Sequence, residues 1–540
     1  MAVRNRWLAQ LALFLLLAVI HTWPLASDPG RLSRLDNDDT AFNTWVVAWV
    51  AHVLPRDPLH LFQAPIFYPE KDTLAYSEHM LVQSVMGAPL LWLDWSPVLV
   101  FNLLVMAGFA LSGWSMSLLI RNWTGSTAAG IVAGTLFAFN AHLLTRFAHL
   151  QALHMEFIPP ALYALDRLLE RATWRYALLL TLAFVTQALC SNYTMVFLAA
   201  ALVAAALVRP DGWWRQAGAF WPRAIVAALA AVLLLTPVLL PYYRVHETQG
   251  LVRSLDEVRT YSAGWRDYLT TGGRLHYALW SHRFFNYFGT ALFPGVLGTV
   301  LALLALGSGR GLRDRRARMA VAFGLLGLAL SFGPATPGYA WAHEHVPILQ
   351  GIRAAARWGI LPLTAVAILA GFGVQAVAAW RLRPRVWAAA AAAMIAIVSI
   401  EAMRAPLGLV DYKGIPRAYD RLRDEPWGPI VIFPLYRGGN FHLNGHYLIE
   451  QTRHFRPMIN GYSSFAPASF HERAARLEAF PAPQTLAELR SLGVTHVLLD
   501  RTVLEPMVGA DNMRTLDRMP QDFTFVLEED GVMIYRLLPR

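Results

Sequence analysis

Cysteine is almost missing from these 540 residues: Cys190 stands alone. One thiol closes no internal disulfide, and in an apolar run it serves as a small packing residue. Lysine is nearly as rare, with only Lys71 and Lys413. No Gly-rich loop ends in Lys, which removes the P-loop nucleotide-binding class. No nucleophile elbow and no zinc-protease motif occurs either. Charge is thin: Asp, Glu, Lys and Arg together make 15% of the chain, against about 25% in soluble domains.

What fills the space is apolar. Hydrophobic residues make 56% of the chain and the mean hydropathy is +0.38. Runs near 18 residues or longer match a bilayer core of about 30 Å. The expected fold class is a polytopic α-helical membrane protein with about eleven spans: roughly 8–26, 97–120, 125–143, 157–170, 176–190, 193–208, 223–241, 290–307, 319–334, 358–380 and 386–403. Arg4 and Arg6 before the first run also fit a signal peptide. No small-residue cleavage site follows, so an uncleaved span is expected.

The net charge of +10 belongs to topology and not to nucleic acid. With the N-terminus inside, the short inner loops collect Arg121; Arg167, Arg171 and Arg175; Arg209, Arg215 and Arg223; Arg310, Arg313, Arg315, Arg316 and Arg318; and Arg381, Arg383 and Arg385. That is the positive-inside pattern. It settles two ambiguous stretches. Residues 80–93, broken by Gly87 and Pro89, are expected to lie at the interface or re-enter, since a further span would turn the arginines outward. Residues 176–208 are expected to split at Ser191-Asn192-Tyr193.

The outer face then carries a first loop over 27–96, a histidine-rich turn near 142–156, loops near 242–290 and 335–357, and a C-terminal region from 405. The expected division is a membrane domain over 1–404 and an extracytoplasmic α/β domain over 405–540. In the latter, Pro429–Phe433 and Thr495–Leu499 read as strands and Gln484–Leu492 as a helix. Phe523–Leu527 and Val532–Leu537 read as a hairpin about Glu-Glu-Asp-Gly.

Asp36, Asp38 and Asp39 follow the first span. Phe42, Trp45 and Trp49 come next at spacings that share a helical face. Aromatics favour the interface, so this helix is expected along the outer leaflet. The plain reading is an acidic turn with Asp39 or Thr40 as helix cap. The chemical reading is a general base, or a pair of carboxylates sharing a divalent cation.

The stretch Asp38-Asp39-Thr-Ala-Phe-Asn43-Thr-Trp45-Val-Val-Ala-Trp49-Val-Ala-His52 resembles the first-loop motif of bacterial members of the GT-C superfamily of membrane glycosyltransferases. The order of spans, large first loop and outer C-terminal domain is similar too. Asp39 matches the family's acidic position. Asp38 stands where the motif commonly has Gly, which leaves Asp38 or Asp39 as the working group and Asp36 as a supporting or solvated charge. The resemblance implies transfer of a sugar from a polyprenyl-phosphate donor to a hydroxyl of a glycan, lipid or protein acceptor. It also implies one inverting displacement at the outer face of a bacterial inner membrane, beside membrane lipids.

A departing phosphate needs cations, and Arg353 and Arg357, i and i+4 on an expected helix, are the candidates. His142, His149, His154 and Glu156 are polar groups of the second outer loop. His149 and Glu156 are candidate substrate contacts, and Glu156 with Asp38 and Asp39 is a candidate set for Mg or Mn. His343-Glu344-His345 reads as a solvated loop. Asn43, and His442 and Tyr462 in the Gly-, Asn- and aromatic-rich 438–465 stretch, are further substrate-binding candidates. The rival reading is a transporter or flippase of lipid-linked glycan precursors. Transporters place charges within spans and show repeats, and neither pattern is evident.

Overall fold

The computed structural model describes residues 2–250, 252–285, 290–380 and 382–539. Arg381 and the side chains of Arg4, Arg6 and Arg310 lie outside the described residues. The chain forms two compact units: 1–28, 103–239 and 250–408 make the first, and 29–102, 240–249 and 409–540 the second.

The first unit is helical. Each stretch expected to span contains a helix, although their lengths differ. Among the described residues four helices are long and apolar enough to cross a membrane: Pro97–Thr124, Ala217–Gln249, Ala355–Ala378 and Pro384–Ala402. The helix expected over 223–241 runs instead for 33 residues, Ala217–Gln249, or about 50 Å. The break at Ser191 is present. Helix Trp174–Cys190 stops there and helix Asn192–Leu207 starts, with Ser191 Oγ accepting the Thr194 amide at 3.4 Å.

Helix Ile360–Ala378 packs against Thr127–Ala138, Val296–Gly307 and Arg315–Ser331. Small residues permit the approach: a methyl at Gly373 would collide with the Leu301 carbonyl. Several loop arginines pair with buried or half-buried carboxylates. Buried Asp166 binds Arg209, and also Arg316 at 2.9 Å; Glu170 binds Arg167 at 2.6 Å. Removing one partner from such a cluster leaves a buried charge uncompensated.

The second unit joins residues 29–102 and 240–249 to the C-terminal residues 409–540. Strand β1 (Leu32–Ser33) pairs antiparallel with β2 (Val410–Asp411). A four-stranded sheet follows: β3 (Ile430–Phe433), β4 (His496–Asp500), β5 (Phe523–Glu529) and β6 (Val532–Leu537), in the order β3-β4-β6-β5. The first two are parallel, with Ile430 opposite His496. The crossover between them carries helices Gly445–Gln451, Ala468–Leu477 and Pro483–Ser491. Strands β5 and β6 form the expected hairpin. Asp530 and Gly531 have φ of 49° and 81°, which a two-residue type I′ turn requires.

The loop and the sheet domain share backbone bonds. Phe67 N donates to Asn460 O at 3.1 Å, and Met458 N to Pro65 O at 3.0 Å. A Cβ on Gly461 would lie 2.6 Å from the Phe67 ring.

Helix Asp38–Val53 forms where expected, but its aromatic face does not lie open to a leaflet. Phe42, Trp45 and Trp49 are 4%, 0% and 8% exposed. The Trp45 indole donates to Gln451 Oε1 at 2.7 Å and the Trp49 indole to the Leu61 carbonyl at 3.0 Å. Satisfied N–H groups inside the unit win over interfacial placement because each indole buries its whole ring as well. The exposed apolar face belongs to helix Leu81–Trp92, where Val85, Met86 and Trp92 stand outward. Its 12 residues reach about 18 Å, too short to cross a bilayer core.

Candidate functional site

The first turn of helix Asp38–Val53 begins with two carboxylates because neither is used as the cap. Asn37, in extended conformation, accepts the Asp39 amide at 3.0 Å and fills that role. Asp39 and Thr40, the expected caps, are already helical. Asp38 and Asp39 therefore sit at the positive end of the helix dipole with side chains available for other partners. Asp36 lies outside this turn. It is exposed and bound by Arg34 at 2.8 and 3.1 Å, a solvated supporting charge.

The C-terminal region of the same unit supplies the partners. Tyr462 donates its hydroxyl to Asp39 Oδ1 at 2.8 Å. Its ring is held edge-on to Phe42 at 6.0 Å and against Phe441 at 5.5 Å. Gly445 passes so close to Asp38 that an added Cβ would be 3.0 Å from the Asp38 Cβ. Burial raises the Asp38 carboxyl above its ordinary pKa. His442 and His446 pull it down, Asp39 pushes it up, and the net direction is upward. His442 donates Nδ1–H to Gly439 O at 3.0 Å.

Behind this pair stands a titratable group. His446 donates Nδ1–H to Leu443 O at 2.5 Å and faces Asp500 at 3.7 Å. Burial opposes its charge, but Asp500 and Glu450 overcome that and raise its pKa. Asp500 ends strand β4 and accepts the Thr502 hydroxyl at 2.6 Å. Its carboxyl is held low despite burial, by His446 and Thr502. His446, Glu450 and Asp500 escaped the sequence reading. Their spacing carries no motif, and only their place beside the ends of parallel strands marks them.

The first unit holds the candidate arginines. Arg353 is in extended chain and Arg357 in the short helix Ala355–Gly359, so the expected regular helix with i, i+4 geometry is absent. Ala354, at φ −102° and ψ 86°, breaks it. Both residues touch Tyr193, Arg353 through its backbone and Arg357 through its side chain, while the Arg353 guanidinium faces Glu257 at 4.0 Å. The Arg353 amide donates to its hydroxyl at 3.1 Å, and the Arg357 guanidinium lies 4.6 Å over its ring. Arg353 also covers Tyr261 at 4.9 Å. The charges of Arg146, Arg357 and His149 all act on buried His142. Arg146 is an addition to the expected cations, and Tyr193 is the aromatic ring beneath one of them.

No family model and no curated protein matches the sequence. Solved structures do. The cryo-EM structure of the arabinofuranosyltransferase AftD from mycobacteria matches with a TM-score of 0.60 at 16% identity, over 99% of this chain and 40% of that one. A variant of AftD matches at 0.56 and 16%, over 99% and 41%. The likeness to AftD is one of fold. ArnT from Cupriavidus metallidurans, apo, matches over 99% of this chain and 98% of its own at 12% identity and a TM-score of 0.47. The chain spans about 40% of the length of AftD.

Of the expected metal set, Glu156 belongs to the first unit and Asp38 and Asp39 to the second. Among the described residues no three His, Cys, Asp or Glu side chains group as metal ligands. Glu156 is buried and committed: it binds His154 Nδ1 at 2.8 Å and faces Ser112 at 3.5 Å. Two carboxylates such as Asp38 and Asp39 are the number that commonly holds Mg beside waters and substrate phosphates. Asn43 is 2% exposed on the inward face of its helix, away from open surface. His343 is buried and His345 bonds the Trp341 carbonyl at 2.9 Å.

Proposed function

We propose that the chain is a membrane glycosyltransferase that moves a sugar from a polyprenyl-phosphate donor to an acceptor hydroxyl. The proposed setting is the outer face of a bacterial inner membrane, with the N-terminus inside, about eleven spans and the second unit outside. The observation that carries the reading is the Asp38–Asp39 turn with Tyr462 bonded to Asp39.

The acceptor oxygen attacks the anomeric carbon and its proton passes to the Asp39 carboxylate. The bond from that carbon to phosphate oxygen breaks, and the lipid phosphate leaves with the electron pair. One displacement inverts the anomeric centre. Tyr462 orients the Asp39 carboxylate, since a hydrogen bond to one oxygen fixes the direction of the other. Asp38 keeps the turn negative, and His442 contacts substrate from the exposed side. Arg353 and Arg357, with Arg146 and His149, are assigned to the donor phosphate. Planar guanidiniums suit its oxygens and stabilise charge that grows as the bond breaks.

The test is transfer from a radiolabelled polyprenyl-phosphate sugar by the purified chain in nanodiscs. Asp39→Asn should lower the rate by roughly 10²- to 10⁴-fold, the range for a lost general base. Wild-type rates from both Asp39→Asn and Asp38→Asn would sink the assignment. Lipid translocation without transfer would favour the flippase reading.

A further inference from the structure

A cavity of about 1570 Å³ opens in the second unit, lined by neither Asp38 nor Asp39. It reaches His52, fourteen residues beyond Asp38 on the same helix and so about 21 Å away. Pockets for single small molecules run to about 1,000 Å³, so the size suits an extended ligand.

Its walls are aromatic and basic. Trp92, Trp95 and Trp427 line it and are 56%, 43% and 68% exposed. Indole faces left open to solvent are costly unless something covers them. The Trp427 ring is preset: the Arg456 guanidinium lies 5.4 Å over it. Arg456 is in turn fixed by the Leu422, Glu425 and Pro426 carbonyls. On another wall Phe455 stacks on His52 at 4.1 Å, from a left-handed backbone at φ 48°. A non-glycine residue persists there only where its surroundings hold it.

The charge is unbalanced. Arg31, Arg56, Lys413, Arg423, Arg453 and Arg456 line the cavity against Asp94, Asp411 and Glu425. Two of the three acids are engaged: Asp411 with Arg31 at 3.2 Å, Glu425 with Arg536 and with His496 at 3.3 Å. Among the described residues Arg56 and Lys413 pair with no carboxylate. A lipid tail would call for an aliphatic wall. Flat rings beside surplus cations suit sugar faces that carry carboxylate or phosphate groups.

We infer that this cavity is a second saccharide site, binding an anionic stretch of glycan remote from the reacting hydroxyl. Its purpose, to hold the acceptor chain, rests on the glycosyl-transfer reading; its binding does not.

The experiment is equilibrium dialysis of the full chain in nanodiscs at low salt, with oligogalacturonate and its neutral methyl ester. The acidic chain should bind roughly tenfold tighter or more, as charge-assisted contacts imply. Replacing both Arg56→Ala and Lys413→Ala should erase that preference, and Trp427→Ala should weaken both ligands. All three residues are exposed, so the fold should survive. Asp39→Asn should bind as wild type even where transfer is lost, which separates this proposal from the catalytic one. Equal binding of the two chains, wild-type binding by the double and Trp427→Ala variants, or capture of anionic vesicles but not oligosaccharide would overturn it.

Discussion

Tyr462 and Asp39 are 423 positions apart in the chain and 2.8 Å apart in the fold, the phenol donating to the carboxylate. A hydrogen bond to a charged group is worth about 1.5–3 kcal/mol, enough to fix which oxygen of Asp39 faces an incoming hydroxyl.

Tyr462→Phe removes only that bond and keeps the ring between Phe42 and Phe441. The expected result is a fall in kcat of roughly 10- to 100-fold with KM for the donor little changed. Steady-state transfer assays read it. An equal rise in KM would make Tyr462 a binding residue instead.

Gly445→Ala puts a methyl against the Asp38 Cβ, at 3.0 Å before relaxation. The turn must give by a few tenths of an ångström. Misplacing catalytic groups is costly, about 100-fold per ångström, so a loss of roughly tenfold in kcat is expected. The thermal midpoint should move little, because Gly445 is buried but Asp38, the group that must yield, is only half-buried. Comparing rate and midpoint on one preparation checks both.

Glu450 gives a pH signature. Burial raises its carboxyl from 4.5 to about 7, against the pull of His446. Between those values the folded chain keeps a proton that the unfolded chain has released. This contribution is therefore whole below pH about 4.5 and is lost as pH rises through about 7, roughly 3–4 kcal/mol in all. Glu450→Gln, which mimics the neutral form, should unfold later than wild type at pH 8 and together with it at pH 4. Melting curves at the two pH values decide it, and a constant gap would remove Glu450 as the titrating group.

Tyr193→Ala should raise KM for the donor and lower kcat, together roughly tenfold in kcat/KM. It removes the ring under Arg357 and the acceptor of the Arg353 amide; a cation over an aromatic face contributes about 0.5–2 kcal/mol. Tyr193→Phe, which keeps the ring, should retain most of the activity. If both variants matched wild type, Arg353 and Arg357 would be lipid anchors and not donor contacts.

Much of the architecture could be read along the chain. The break at Ser191, the short helix over 80–93 and the Asp530-Gly531 hairpin depend on residues adjacent in sequence. Capping oxygen, hydrophobic length and positive φ act locally. The Asp38–Asp39 turn was visible for the same reason. The aromatic face of Trp45 and Trp49 was visible as a face but not as an interior. Its partner, Gln451, lies 406 positions from Trp45, and no periodicity signals which surface a stripe will meet. Arg353 and Arg357 were found by spacing, yet what they share is contact with Tyr193 and not the helix that the spacing implied.

Sequence order alone dictated where helices begin and end and that two carboxylates open one of them, because those features follow from neighbours within a turn or two. It also dictated the apolar lengths, which are a matter of composition along each run. Tertiary structure alone decided that the first loop folds with the C-terminal sheet, that Asp39 meets Tyr462, that Glu156 is consumed by His154, and that the cations around His52 outnumber their acids. Those outcomes depend on which buried hydrogen-bonding groups satisfy one another across hundreds of residues, a selection made by packing and written at no single position.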